Sequence, residues 1–596
     1  MRVLEGIGVS FGIAEGRALV IRRGERDVPR YRIGPAEVRR EIRRFLGARM
    51  RAREEIGALR ERARRTAGER YAGIFDAHQA ILDDRGLGRR TIALIRERRI
   101  NAEWALTRAV SELLATFGGL DDPFFRERGG DIEDVHERLQ RVLAGDAPTE
   151  AHDLALEEDT IVVAPTLSPS DALWLHQPRI AGFVTEGGSR TSHTAILANA
   201  LEIPAVLGVE RATELIAGGE HLIVDGHEGR VVVAPPDATR KAYADERRRL
   251  EELAPREGGW AVPVRTRDGR RIRVAANVEF PEELETCRRV GADGVGLYRS
   301  EFLFLTTAPR LPSEEDHFAV YRRILTSAAG QPVVIRTLDL GGEKYFHEVL
   351  HGGEANPVMG LRAVRLCLRR PEIFRTQLRA LYRAAVGHPN LRVLVPMISS
   401  LEEWRRVRAF VGQVVEELPS GERPDPLPPL GCMIEVPAAA LEAPRLAREA
   451  DFLSLGTNDL VQYTLAVDRA NAAVAHLHDP FHPAVLELIE RTVVAGREAS
   501  VPVSLCGEMA SDPLGAITLV GLGLTDLSCN PLVIPEIRAV LADVDAGEAA
   551  RTVARARRAG TGPEIRQEIE QAFLPRVRAL VGEVRLEPRD GADPPG

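Results

Sequence analysis

The spacing of apolar positions changes character twice along the chain. Residues 3–20 alternate small and apolar side chains, the pattern of one or two short strands. From Gly34 the spacing turns helical: Val38, Ile42, Phe45, Ala52, Ile56, Leu59 and Ala63 recur at three, four or seven positions among many arginines and glutamates. Further helices are expected over 71–82, 86–98, 102–117 and 130–143, and the block closes near "LAGDAPTE". The period then shortens. "TIVVAPTLSPSDAL", "IAGFVTEGG", "IPAVLG" and "HLIVDGHEGRVVVAP" read as strands and turns with helices between them.

From residue 260 a third rhythm sets in, strand then loop then helix. Candidate strands are 272–278, 293–298, 332–338, 391–397, 430–436, 452–456, 501–506 and 526–529. Eight strands, with room for a helix after most of them, point to a (β/α)8 barrel. The expected fold class is therefore multidomain: an α/β domain carrying an inserted all-α helical bundle, then a TIM-type barrel. The predicted bounds are 1–21 with 145–235 for the α/β domain, 22–144 for the insertion, 236–258 for a charged linker helix, 259–575 for the barrel and 576–596 for a C-terminal tail. The last stretch, "EPRDGADPPG", has the composition of a disordered end.

Composition narrows the class. A chain of 596 residues is too long for one hydrophobic core, and 44% apolar with 28% charged residues suits a globular enzyme. There is no run of eighteen apolar residues and no basic-then-apolar leader, so a cytoplasmic protein without a membrane partner is expected. The five cysteines are odd in number, far apart and free of any CxxC pair, which argues against a disulfide framework or a zinc site. A net charge of -8 spread over mixed signs gives no reason to expect nucleic-acid binding. Only Lys241 and Lys344 are lysines; in so arginine-rich a chain, a surviving lysine suits a site wanting a compact ammonium.

A barrel enzyme carries its chemistry just after the C-terminal ends of its strands. Those ends supply Asn277, then Arg299 and Glu301, then Arg336, Asp339 and Lys344, then Glu435, then Asn458 and Asp459, and finally Cys506 and Glu508. Any one arginine there is usually a solvated or ion-paired surface residue, and Cys506 reads equally as a core cysteine. Glu435 inside "CMIEVP" is harder to dismiss, since an apolar strand rarely keeps an unpaired carboxylate. Together, arginines and an ammonium suit a phosphate and a carboxylate on one small substrate, while Glu435 and Asp459 supply hard oxygen ligands for Mg²⁺. Cys506 suits a proton donor or a nucleophile.

A second centre lies in "EGGSRTSHTAILANALEIPAVLG", residues 186–208. Glycines, hydroxyl residues and Arg190 precede a helix whose N-terminus offers free N–H groups to an anion. His193 has no metal-ligand partner at helical spacing, and a neutral imidazole is a good nucleophile near pH 7. Taken alone it also fits a capping or core histidine. In this setting it fits a histidine that carries a phosphoryl group.

The same stretch, with "DGVGLYRSEFLF", "IRTLDLGGEK", "NPVMGLRAVR", "MIEVPAAA", "FLSLGTNDLVQYTLAVDR" and "SLCGEMA", resembles successive segments of the phosphoenolpyruvate-utilising enzymes over nearly the whole chain. The helical insertion ahead of the histidine is similar to that of the branch which hands phosphate to a carrier protein. The resemblance implies that His193 is the phosphorylated nucleophile and that Arg299, Arg336, Arg469, Asn458 and the backbone near Asp459 bind phosphoenolpyruvate. Arg362 and Lys344 would add to the phosphate clamp, Glu435 and Asp459 would hold Mg²⁺, and Cys506 would protonate the enolate. It implies further that the phosphoryl group passes to a histidine of the small phosphocarrier HPr, or an HPr-like protein, as the first step of sugar uptake, and that the barrel forms a homodimer.

For carrier docking on the insertion, His78, Ile81, Leu82, Asp83, Asp84 and Leu87 fit the family pattern, while Arg85, Arg89 and Arg90 make the surface more basic than usual. Two rivals were weighed. A dikinase or synthase relative would need a large ATP-binding domain ahead of the histidine segment, and no GxxxxGK[ST] loop is present. A non-catalytic relative that kept only the fold would have lost catalytic residues, and all of the expected types are in place.

Overall fold

A computed structural model describes residues 1–10, 12–21, 28–67, 75, 78–117, 123–145, 159–167, 175, 179–188, 198, 203–253, 259–307, 310–340, 356–469, 471 and 473–581. The chain forms two compact units, Met1–Arg247 and Arg248–Gly596. Among the described residues no helix is long and apolar enough to cross a membrane.

The first unit is built on an eight-stranded mixed sheet. Its strands are β1 (Arg2–Glu5), β2 (Ile7–Gly8), β3 (Ile13–Val20), β4 (Thr160–Ala164), β5 (Ile180–Thr185), β6 (Ala205–Leu207), β7 (His221–Asp225) and β8 (Arg230–Val233), in the order β1-β8-β7-β3-β4-β5-β6-β2. Strand β3 pairs in parallel with β4, with Arg17 opposite Thr160, so segments more than 140 residues apart in sequence meet at the sheet centre. The helices Val38–Ala67, Arg85–Arg98, Ala102–Phe117 and Pro123–Ala144 leave and return between these two strands. Strand β4 is buried on both faces, as its unbroken apolar run requires. Val162 and Ala164 join the core that holds Phe45, Ile56 and Leu106 of the helices, while Ile161 and Val163 face a second core with Val224 and Val231. Residues 3–20 yield three strands rather than one or two: the run breaks at Gly6, where the pairing partner changes from β8 to β6, and again after Gly8.

The second unit is a closed parallel barrel. Its strands are β10 (Arg271–Val278), β11 (Val295–Arg299), β12 (Val333–Arg336), β13 (Leu391–Val395), β14 (Leu430–Ile434), β15 (Phe452–Leu455), β16 (Val503–Leu505) and β17 (Asp526–Cys529), after a short antiparallel edge strand β9 (Val264–Arg265). Strand β10 pairs with both β11 and β17, which closes the ring. Alternate residues divide between two environments. Val333 and Ile335 enter the large core under the helices, whereas Leu297, Val334, Leu394, Met433, Phe452 and Cys506 form a separate cluster, which we assign to the barrel interior. The last helix, Gly562–Val581, runs past residue 575, where the sequence suggested a tail. Val577 and Val581 are buried in the barrel core, and that apolar spacing carries the helix on.

Candidate active site

Strand alternation explains how charged side chains come to share the barrel interior. Two residues beyond interior Leu297 comes Arg299, two beyond Val334 comes Arg336, and two beyond Met433 comes Glu435. Interior Cys506 follows β16 directly, and Ser454 on β15 donates to its Sγ at 3.5 Å. Asn277 on β10 donates to the Cys506 carbonyl at 3.0 Å and accepts from Ser528 Oγ at 2.7 Å. Asp459 arrives differently, in the first turn of the helix Thr457–Leu465 that follows β15.

The geometry centres on three buried carboxylates. Asp339, Glu435 and Asp459 each offer an oxygen, and these lie within 4.8 Å of one another. Glu435 accepts from the Met397 N–H at 2.6 Å. Burial, helped by Asp339 and Asp459, pushes its carboxyl up to about 8 against the pull of Arg336. A Cβ at Gly456 would lie 2.8 Å from Glu435 Oε2, so only glycine leaves this carboxylate its place.

Two arginines face the acids. Arg336 is bound by Glu301 at 3.1 Å and by Asp339 at 2.8 Å; Arg362 reaches Asp339 at 2.8 Å and Asp459 at 3.4 Å. Burial opposes both guanidinium charges, but the surrounding carboxylates outweigh it and hold both well above the ordinary arginine value. Burial also raises Glu301, whose Oε2 has no partner. Four carboxyl groups share two guanidiniums, and their crowding and burial raise Glu435 and Glu301 toward the neutral form, while Arg336 Nε and Arg362 Nε are likewise unpartnered. Such a set fits a hard divalent cation together with an anionic ligand.

Around this centre Arg299 pairs with Glu279 at 2.6 Å. The Cys506 thiol lies 3.6 Å from the Leu455 carbonyl, and burial raises its pKa, so it stays protonated at neutral pH. Asn458 is held twice by Glu508: its Nδ2 donates to the carboxylate at 3.0 Å and its Oδ1 accepts from the backbone N–H at 2.8 Å.

Not every expected residue joins the cluster. Arg469 is exposed in a turn beyond the helix, its backbone N–H donating to Gln462, and the ion pairs among the described residues do not include it. His193 and Lys344 lie outside the described residues. The docking set on the insertion needs correction. His78 is wholly buried against Phe75 and beside Asp134, and Leu82 and Leu87 lie in the core. A docking face needs accessible side chains, and those three supply none. Ile81 is partly buried, Asp83 is exposed and pairs with Arg53, and Asp84 caps the next helix by accepting from the Leu87 N–H.

Asp339 is the principal residue that the sequence left without a metal role. It stood among the strand-end residues, where only Glu435 and Asp459 were read as oxygen ligands. Glu279 carried no signal beyond an acid one residue after a strand.

Family models match three successive segments: the N-terminal segment of PEP-utilising enzymes over residues 5–128, their mobile domain over 156–229 and their PEP-binding domain over 258–546. Among curated proteins, the chain is 42% identical to the phosphoenolpyruvate-protein phosphotransferase of Cupriavidus necator, over 90% of this chain and 93% of that one. It is 38% identical to the corresponding proteins of Bacillus sp. (strain S) and Geobacillus stearothermophilus, in each case over 96% of this chain and 98% of the other. With its buried acid–arginine centre and these full-length matches, the chain belongs to the phosphoenolpyruvate-protein phosphotransferases, enzyme I of the phosphotransferase system, within the PEP-utilising enzyme family.

Proposed function

We propose that phosphoenolpyruvate binds at the C-terminal mouth of the barrel and that its phosphoryl group passes to His193, then to a histidine of HPr or an HPr-like carrier. The observation that carries this reading is the excess of buried carboxylates beside two partly buried arginines, Arg336 and Arg362. Arg299, Arg336 and Arg362 bind the substrate's anionic groups together with Lys344 and Arg469. Asn458, oriented by Glu508, has one amide N–H left for a substrate oxygen. Asp339 joins Glu435 and Asp459 as the seat for Mg²⁺, which when bound neutralises phosphoryl charge and acts as a Lewis acid.

In the reaction, the phosphorus–oxygen bond to the enol breaks and a phosphorus–nitrogen bond to His193 forms. The enolate left behind takes a proton at its methylene carbon from the Cys506 thiol, giving pyruvate, and the thiolate recovers a proton from solvent. The mobile-domain match, which spans His193, and the glycine-rich turn before it support the nucleophile's assignment. The protein so read is cytoplasmic, dimerises through its barrel and comprises domains bounded near residues 21, 145, 235 and 259.

Incubation with ³²P-labelled phosphoenolpyruvate and Mg²⁺ tests this reading. Acid-labile label is expected on the wild type, transferable to HPr, and absent from His193→Ala. Label that persists on His193→Ala would remove His193 from the reaction.

A further inference from the structure

The helix Pro371–Ala385 buries Ile373, Phe374, Leu378 and Leu381 on the face it turns to the barrel, and among them sits a fully buried amide, Gln377. A buried amide on an apolar face demands partners. Gln377 has three. Its Oε1 accepts from the Leu338 N–H at 2.9 Å, and its Nε2 donates to Ser300 Oγ and to Tyr321 OH, both at 2.9 Å.

The first two partners are placed where they matter. Ser300 stands between Arg299 and Glu301 at the end of β11; Leu338 stands between Arg336 and Asp339 just beyond β12. The Leu338 N–H lies past the strand ladder and would otherwise be an unmet buried donor. Glu301 Oε1 ties the same two ends from the inner side, accepting from Arg336 Nη2 at 3.1 Å and from the Asp339 N–H at 2.9 Å. The third bond carries the network outward, away from the barrel mouth. Tyr321 OH, which accepts from Gln377, also shares a 2.9 Å hydrogen bond with Nδ1 of His317, whose ring is kept neutral at neutral pH by burial, which pushes its pKa down to about 4.

We propose that Gln377 is a positioning residue for phosphoryl transfer, holding the ends of β11 and β12 at the spacing that sets Arg299 and Glu301 against Arg336 and Asp339. It touches none of the reacting atoms. The inference rests on the reading of the barrel mouth as the phosphoenolpyruvate site. Displaced guanidiniums can still bind an anion, whereas in-line transfer tolerates little displacement, so the loss falls on kcat rather than on KM.

Rates of phosphoenolpyruvate-dependent self-phosphorylation, with Mg²⁺ and the full chain, test it. Gln377→Leu, which removes all three bonds, is expected to lower kcat about 10- to 100-fold while KM changes less than about threefold. Tyr321→Phe removes the hydroxyl's bonds to Gln377 and His317 but leaves the bonds of Gln377 to Leu338 and Ser300; it is expected to lower Tm and keep kcat within about twofold of wild type. Ser300→Ala, a small change that folds if the larger one does not, is expected to lower kcat about three- to tenfold. Wild-type kcat in folded Gln377→Leu, or in Ser300→Ala where the former does not fold, would overturn the inference. So would an equal loss in Tyr321→Phe, which would mark the effect as general packing. An unlabelled wild type would instead bring down the proposed function, and this inference with it.

Discussion

Two buried clusters in this chain mix arginine with carboxylates, and they differ in how completely they are closed. In the helical insertion, Arg44 binds Glu41 at 2.8 Å and Glu103 at 2.5 Å and donates to the Leu143 carbonyl at 3.1 Å. The second oxygen of Glu103 accepts from Asn101, and Glu41 also accepts from the Ala102 N–H. None of these four residues has a buried side-chain polar atom without a partner. At the barrel mouth, four carboxylates crowd two guanidiniums, and Glu301 Oε2, Arg336 Nε and Arg362 Nε stay unpartnered. The first cluster is finished by folding and joins three helices. The second is left incomplete by folding, which is what a site awaiting a cation and an anion requires.

The comparison can be broken most sharply at Glu435. Glu435→Gln removes an ionisable oxygen ligand from a crowded acid set, so turnover should fall by about 10³-fold or more while thermal stability holds or rises. A loss of folding instead of activity, read by calorimetry, would make the barrel cluster structural.

A third buried polar group, His317, sharpens the contrast because it is structural yet titratable. Burial depresses its folded pKa to about 4, below the unfolded value near 6.5. The neutral form is the one folded, so its contribution is fully present above pH 6.5 and is lost as the pH falls toward 4. The loss amounts to up to about 3 kcal/mol of barrel stability. Urea unfolding of the wild type from pH 7 to 4 should show this slope, and His317→Gln should flatten it.

Arg44→Met should destabilise the first unit by about 2 kcal/mol, less than a fully buried pair because Arg44 keeps some solvent exposure. Unfolding followed by a probe in that unit would check it. The exposed pair Arg90–Glu112, bidentate at 2.6 and 2.9 Å, marks the lower limit. Arg90→Ala should leave the unfolding midpoint of the first unit close to wild type, and 1 M salt should erase any difference.

Much of the barrel site was legible because strand parity is a strict rule. Arg299, Arg336 and Glu435 share the parity of interior apolar residues, and the unpaired acid in "MIEVP" stood out against its strand. Legibility ended where parity ends. Asp339 follows its strand by three residues, so whether it turns toward the acids or toward solvent depends on the loop. Arg469 lies beyond a helix, and no period reaches it. Gln377 comes from an outer helix, where a polar residue on an apolar face could have been noticed but its strand-end partners could not. The insertion misled for another reason. Its docking residues came from the family pattern, whereas the phase of a helical face is set by packing, which puts His78, Leu82 and Leu87 in the bundle core.

The most direct test of the difference between the clusters is Mg²⁺-dependent isotope exchange between phosphoenolpyruvate and pyruvate, measured side by side in Glu435→Gln and Arg44→Met. The account predicts that exchange is abolished in the first and kept near the wild-type rate in the second, below its melting temperature. Exchange that survives in Glu435→Gln, or disappears in folded Arg44→Met, would contradict it.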